Sequence, residues 1–262
     1  APAAGRPAPA ATSAAVAVSE PSTVTGIEFD RLPTELVEGQ PAVIRWRSGP
    51  GVYSVTVSAE WSNTRLGGAS RGGGDTVLQR PLPDPEGSTI WDVPWLDTVA
   101  VTLRLKAFRR NAEVLATTTA VVPYRPAAMS DRREDGLYVW LTGSHGQRVY
   151  RQVDGVLVQA VVCSGAATHG GSGGANRPMY PHNHYGVFRV YTKERNHYSS
   201  FNTAWRMQYS MFFHEGHALH ATSRSMYRYL GQPASHGCVR LHLNDARDLY
   251  QVTDMGTRVE VF

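Results

Sequence analysis

The chain has 262 residues, 42% of them hydrophobic and 18% charged, with 25 Gly and 16 Pro spread along it. That composition supports one large or two medium domains and excludes both a coiled coil and a wholly disordered chain. The net charge of +4 comes from 26 basic and 22 acidic residues, and only Lys106 and Lys193 are lysine. The arginines are scattered, the tightest clusters being Arg109-Arg110 and Arg132-Arg133, so there is no basic stripe of the kind that binds nucleic acid. No run approaches the roughly 18 apolar residues of a membrane-spanning helix.

Residues 1–22 are almost all Ala, Pro, Ser, Thr, Val and Gly, which bury too little to offset their ordering entropy. They read as a flexible tail. Its small-residue start, Ala1-Pro2-Ala3-Ala4, suits either the new end left by removal of a secretory signal or a trimmed end.

Residues 23–123 read as strand, turn, strand. Ile44 and Trp46 alternate with Arg45 and Arg47, Tyr53 to Trp61 alternate with polar residues, and Val99, Val101, Leu103 and Leu105 do the same. Period two predicts strands with one buried face. Breakers at Glu38-Gly39, Gly49-Pro50-Gly51, Gly67-Gly68, Gly72-Gly73-Gly74 and Pro83-Asp84-Pro85 separate them. With Val24–Phe29, Thr76–Gln79, Thr89–Val93 and Val114–Val122 the region holds about seven short strands, as expected of an immunoglobulin-like β-sandwich. It contains no Cys, so an antibody-type disulfide is excluded.

The polar stretch 124–136 reads as a linker. Beyond it, residues 137–262 predict a mainly β domain. Its strands are Leu137–Leu141, Val149–Gln152, Val156–Cys163, Val187–Tyr191, Met211–Phe213, Ala218–His220 and Arg258–Phe262. One helix starts near Asn244 as N-cap, with Ala246, Leu249 and Tyr250 on one apolar stripe. Residues 164–186, rich in Gly and His, read as a long loop of the kind that often carries function.

All ten His and both Cys fall after the midpoint, between His145 and His242. The sharpest local signal is Ser235-His236-Gly237-Cys238-Val239-Arg240, with His220 upstream and fourteen residues between His220 and Ser235. A thiol attacks as thiolate, and a histidine within reach both takes its proton and later returns one to a leaving amine. Gly237 permits a tight turn that leaves the N–H groups of Gly237 and Cys238 free for a developing oxyanion.

His220 with Ser-His-Gly-Cys-Val-Arg resembles the catalytic signature of the L,D-transpeptidases, the YkuD-type enzymes that cross-link bacterial peptidoglycan. The resemblance extends over about 137–262. It includes Val162-Cys163-Ser164-Gly165, Tyr185-Gly186-Val187-Phe188, Met207–Phe213, the Asn244–Tyr250 helix and Gly256-Thr257-Arg258-Val259. It implies Cys238 as nucleophile, His220 as general base and acid, the Ala221 carbonyl as the group that orients His220, and Gly237 with Cys238 as oxyanion donors. His236 and Arg240 match motif positions that line or brace the site, and with Ser235, His214, Trp205 and Tyr185 they are the candidate substrate-binding residues. Three features depart from the family pattern: Ala221 replaces the usual Gly, Cys163 occupies a usual Ser position, and the 166–185 loop is long. They bear on substrate preference.

The implied reaction is acyl transfer from a tetrapeptide stem through a thioester, with release of D-alanine and formation of a 3-3 cross-link. No cofactor or metal is implied. The implied partners are donor and acceptor stem peptides, the implied state a monomer, and the implied location outside the cytoplasmic membrane, in the periplasm or cell wall. With water as acceptor the same residues make an L,D-carboxypeptidase. A non-catalytic wall-binding protein has no need of the Cys238 and His220 pair. A papain-like or sortase-like enzyme differs in residue order or in the distance from Cys to Arg.

Other readings attach to single features. A disulfide between Cys163 and Cys238 would disable the nucleophile. Arg240 would pair with an acid such as Asp245. The spacing of His214, His217 and His220 invites zinc, but on a strand His217 points away from the other two. Tyr227, Tyr229 and Trp205 form either core or an aromatic wall for substrate.

Overall fold

A computed structural model describes residues 26–82, 86–166, 185–200 and 202–262. The expected tail and residues 167–184 of the expected loop lie outside the described residues.

Among the described residues, ten strands make up the first part: β1 (Ile27–Arg31), β2 (Leu36–Val37), β3 (Pro41–Ser48), β4 (Ser54–Ser62), β5 (Arg65–Leu66), β6 (Ala69–Ser70), β7 (Gly73–Leu82), β8 (Glu86–Asp92), β9 (Ala100–Phe108) and β10 (Val114–Arg125). The alternation seen in the sequence is the burial pattern. Ala42, Ile44 and Trp46 point inward from β3, and Val101, Leu103, Leu105 and Ala107 from β9. Sheets ordered β1-β3-β8 and β2-β10-β9-β4-β7 close on these faces, and one core runs from Ile27 to Tyr124. This is an immunoglobulin-like sandwich.

The stretch read as a linker is packed. Strand β10 runs on to Arg125, Tyr124 and Arg125 are both fully buried, and a single 3₁₀ turn, Ala127–Met129, leads toward the second part.

That part contains β11 (Gly136–Trp140), β12 (Arg148–Val153), β13 (Val156–Ser164), β14 (Gly186–Arg189), β15 (Thr192–Tyr198), β16 (Arg206–His214), β17 (His217–Ala221), β18 (Val239–Leu241), helix α1 (Leu243–Val252) and β19 (Arg258–Val261), with a 3₁₀ turn at Arg224–Tyr229. The strands follow the order β14-β19-β11-β12-β13-β18-β17-β16-β15. Within this sheet β18 lies between β13, to which it is antiparallel, and β17, to which it is parallel. Leu219 and Val239, paired across β17 and β18, are fully buried. Each such side chain contributes about 2 kcal/mol of apolar burial to holding that strand pair together.

Two expectations need correction. The helix is capped by His242, whose Nδ1 accepts the Asn244 N–H, so Asn244 sits inside α1 and the helix starts two residues earlier than its composition suggests. His217 does not point away from His214. Glu215 and Gly216, with φ of 41° and 82°, form a two-residue turn, and this pairs His214 with His217 across the β16–β17 hairpin on one face.

Candidate active site

The sheet order places the reactive residues. Because β17 and β18 run parallel with His220 opposite Arg240, the residue just before β18, Cys238, falls beside Ala218. Cys238 is partly exposed and packs against the small cluster of Met207, Phe212 and Ala218. His220, two residues along β17 from Ala218, is almost wholly buried. Alternation along the strand puts it on the Ala218 face, where Cys238 lies.

The tautomer of His220 follows from one contact. Its Nδ1 lies 2.8 Å from the Ala221 carbonyl oxygen, which only accepts, so Nδ1 carries the proton and Nε2 keeps its lone pair. Burial pushes the His220 pKa down from 6.5 to about 4; the Ala221 carbonyl opposes that shift, while Arg240 and His197 add to it. Burial also pushes the Cys238 thiol up, against the lowering effects of a backbone hydrogen bond from Ala218 and of the Arg240 charge. Near neutral pH the resting pair is therefore a thiol and a neutral imidazole.

The loop before Cys238 is braced from several sides. Arg240 Nη1 donates to the Ala234 carbonyl at 2.6 Å, and the Ala234 and Ser235 N–H groups both donate to the Gly165 carbonyl at 3.0 Å. Gln147 holds Gly165 in turn, its Oε1 accepting the Gly165 N–H at 2.6 Å and its Nε2 donating to the Leu141 carbonyl. Gly237 has φ of 132°, and a Cβ there would come within 2.2 Å of His217 Nε2. The imidazole of His217 occupies the space that a side chain at 237 would need.

Several expected roles change. The Gly237 N–H is engaged rather than free, donating to Ser235 Oγ at 3.2 Å. Ser235, expected to touch substrate, is buried and acts as that acceptor. Arg240 does not pair with Asp245, because both Asp245 oxygens accept backbone N–H groups from the sandwich. Cys163 and Cys238 are both free thiols; Cys163 is completely buried, and burial pushes its pKa far up.

Of the remaining residues, Trp205 is exposed and stacks on half-buried His236, with ring centroids 6.2 Å apart. His214 stacks on Phe188 at 4.4 Å and on His217 at 6.0 Å. Tyr185 is half-buried against the core of the second part. Tyr227 packs on His242 at 4.2 Å and accepts the Leu243 N–H, so it braces α1. Among the described residues no three His, Cys, Asp or Glu are gathered as for a metal ion. Gln147 and His197, which no motif marks, also bear on the site, Gln147 by holding Gly165 and His197 by adding to the downward shift of His220. The spacing of the His residues signalled His217, but its use depends on the hairpin turn.

Residues 137–261 match the family described as the YkuD L,D-transpeptidase catalytic domain. The second part of this chain is an L,D-transpeptidase domain. Among solved structures, the chain is similar to an L,D-transpeptidase from Stackebrandtia nassauensis at 25% identity, over 52% of this chain and 61% of that one, with a TM-score of 0.40. It is similar to residues 123–326 of one from Xylanimonas cellulosilytica at 26%, over 53% and 65%, with a TM-score of 0.40. The chain thus spans less than two thirds of the length of those two proteins. An L,D-transpeptidase from Mycobacterium smegmatis aligns over 90% of this chain and 99% of its own at 14% identity, with a TM-score of 0.39. No curated protein matches. Within the L,D-transpeptidase domain, the signature residues lie at the junction of β17 and β18.

Proposed function

We propose that the chain is a peptidoglycan L,D-transpeptidase acting by cysteine acyl transfer outside the cytoplasmic membrane, as a monomer. One observation supports this most strongly: the His220 ring is fixed through Nδ1, leaving a basic Nε2 on the strand next to the one that Cys238 opens.

The carbonyl after the L-centre of the diamino acid in a donor tetrapeptide is the electrophile. As the Cys238 sulfur bonds to that carbon, its proton passes to His220 Nε2. The oxyanion is held by the Cys238 N–H and, once released from Ser235 Oγ, the Gly237 N–H. Collapse breaks the C–N bond, the imidazolium returns the proton to the leaving D-alanine amine, and a thioester remains. An acceptor amine gives its proton to His220, attacks the thioester, and frees the thiol with a 3-3 cross-link formed. Exposed Trp205 and half-buried His236 form the aromatic rim that a peptide stem meets first.

Intact mass after incubation with a carbapenem tests the reading. One covalent adduct is expected on the wild-type chain and on Cys163→Ala, and none on Cys238→Ala. An unmodified reduced wild-type protein would sink the cysteine mechanism, and loss in Cys163→Ala alone would move the nucleophile to that thiol.

A further inference from the structure

One buried carboxylate of the L,D-transpeptidase domain has no part in the cysteine chemistry. Asp245, in the first turn of α1, is 1% exposed. Its Oδ2 accepts the Gly67 N–H at 2.7 Å and its Oδ1 the Gly68 N–H at 2.8 Å, across 178 and 177 residues of sequence. Gly67 and Gly68 are the two central residues of the β5–β6 hairpin, with φ of 69° and 83°. Such a turn requires left-handed backbone at both positions, and it presents successive N–H groups to a single anion.

Other contacts seat the same hairpin tip. Asn244 Nδ2 donates to the Gly67 carbonyl at 2.9 Å. The His242 ring lies so close over Gly67 that a Cβ there would stand 2.6 to 2.9 Å from three ring atoms. Arg65 of β5 pairs in parallel with Val161 of β13, so the sandwich contributes an edge to the catalytic sheet. The residues gripped, 242, 244 and 245, directly follow β18, and β18 directly follows Cys238. β18 also carries Arg240, which holds the Ala234 carbonyl of the loop before Cys238.

We propose that the β5–β6 hairpin and Asp245 form a latch through which the N-terminal sandwich holds the β18–α1 corner and thereby positions Cys238 for acylation. Asp245 is a positioning residue that acts through His242 and β18 and touches no substrate. A charge-assisted pair of hydrogen bonds to a buried carboxylate is among the stronger polar contacts available to a protein, and it is directional. This gives the sandwich a mechanical role beyond spacing. The proposal rests on Cys238 being the nucleophile.

The test uses the full chain and three variants. Gly67→Ala drives a methyl group into His242 from the other domain, Asp245→Ala removes the acceptor, and Asp245→Asn keeps one acceptor oxygen. Hydrogen exchange over 239–246 and the concentration dependence of carbapenem acylation are measured on each. Gly67→Ala and Asp245→Ala should both speed exchange at 239–246 and lower the maximal acylation rate roughly tenfold, with half-saturation unchanged, and Asp245→Asn should fall between them and wild type. Exchange over 239–246 that is the same in Gly67→Ala as in wild type overturns the latch, whether or not the protein reacts. Faster exchange with an unchanged acylation rate overturns the positioning role. A wild-type chain that takes no adduct overturns the cysteine reading, and the exchange comparison still decides whether the hairpin grips 239–246.

Discussion

His220 and Cys238 are pushed in opposite directions by the same cause, burial, and both shifts favour the neutral form. The site therefore keeps a base that is unprotonated down to about pH 4 and a thiol that stays protonated above its ordinary range. The rate of Cys238 acylation should stay level as pH falls from 7 to 5, where an ordinary imidazole would already be titrating, and decline only near pH 4. A stopped-flow pH series measures this, and a midpoint near 6.5 would mean the ring is not buried during catalysis. Stability carries the same signature. The folded pKa lies below the unfolded 6.5, so the unfolded chain binds the proton first, and the contribution of His220 is complete above 6.5 and lost as pH falls toward 4. The slope is about 1.4 kcal/mol per pH unit across that window. Denaturant midpoints of wild type and His220→Gln at pH 7 and pH 5 should therefore diverge, the variant losing less on acidification.

At the scale of elements, the β16–β17 hairpin sets the floor of the turn that precedes Cys238. Its two-residue turn puts His217 against Gly237, so the turn, the imidazole and the glycine form one packing unit. Gly237→Ala should place a Cβ 2.2 Å from His217 Nε2 and strain a backbone at φ 132°, with acylation slowed about a hundredfold. Adding His217→Ala removes the collision but not the strain, so the double variant should recover part of the rate. Kinetics on the two variants would show whether the imbalance is steric, since no recovery would put the whole effect on backbone conformation.

These same elements mark what the sequence could reveal. Strands such as β3 and β9 were legible because one face is dry and the other wet, and the Cys238 motif because its residue types sit side by side in the chain. Strand β15 was not, because its residues are exposed or half-buried on both faces and leave no alternation to read. Nor was β18, whose three residues are too few for a period, or β5 and β6, two residues each around a Gly pair. The pairing of His214 with His217 depends on positive φ at Glu215, a conformation that a glutamate does not advertise.

For the whole molecule, the junction between sandwich and L,D-transpeptidase domain is built around charge. Asp97 of the sandwich pairs with Arg148 at 2.9 Å, both largely buried, and Arg148 lies over Trp95, which stacks on His145. Arg125, fully buried at the end of β10, bonds Glu35 at 2.7 Å, the carbonyls of Met129 and Arg132, the Gln152 side chain and the Gly155 carbonyl. One guanidinium thus ties the sandwich, the joint and the β12–β13 turn together. Hydrogen bonds from all three guanidinium nitrogens make the buried cation tolerable, and removing it strands their partners. Glu35 keeps Arg133 at 2.7 Å, so the cost falls on Gln152 and the three carbonyls rather than on an orphaned carboxylate. Arg125→Ala should destabilise the chain by about 3 kcal/mol and lower its melting temperature by on the order of 10 °C. Because the side chain couples two cores, the variant should also split a single calorimetric transition into two, the sandwich and the L,D-transpeptidase domain melting separately. One unsplit transition at an unchanged temperature would mean that the Asp245 latch and the Asp97–Arg148 pair already suffice to hold the two together, and that Arg125 only fills the joint it occupies.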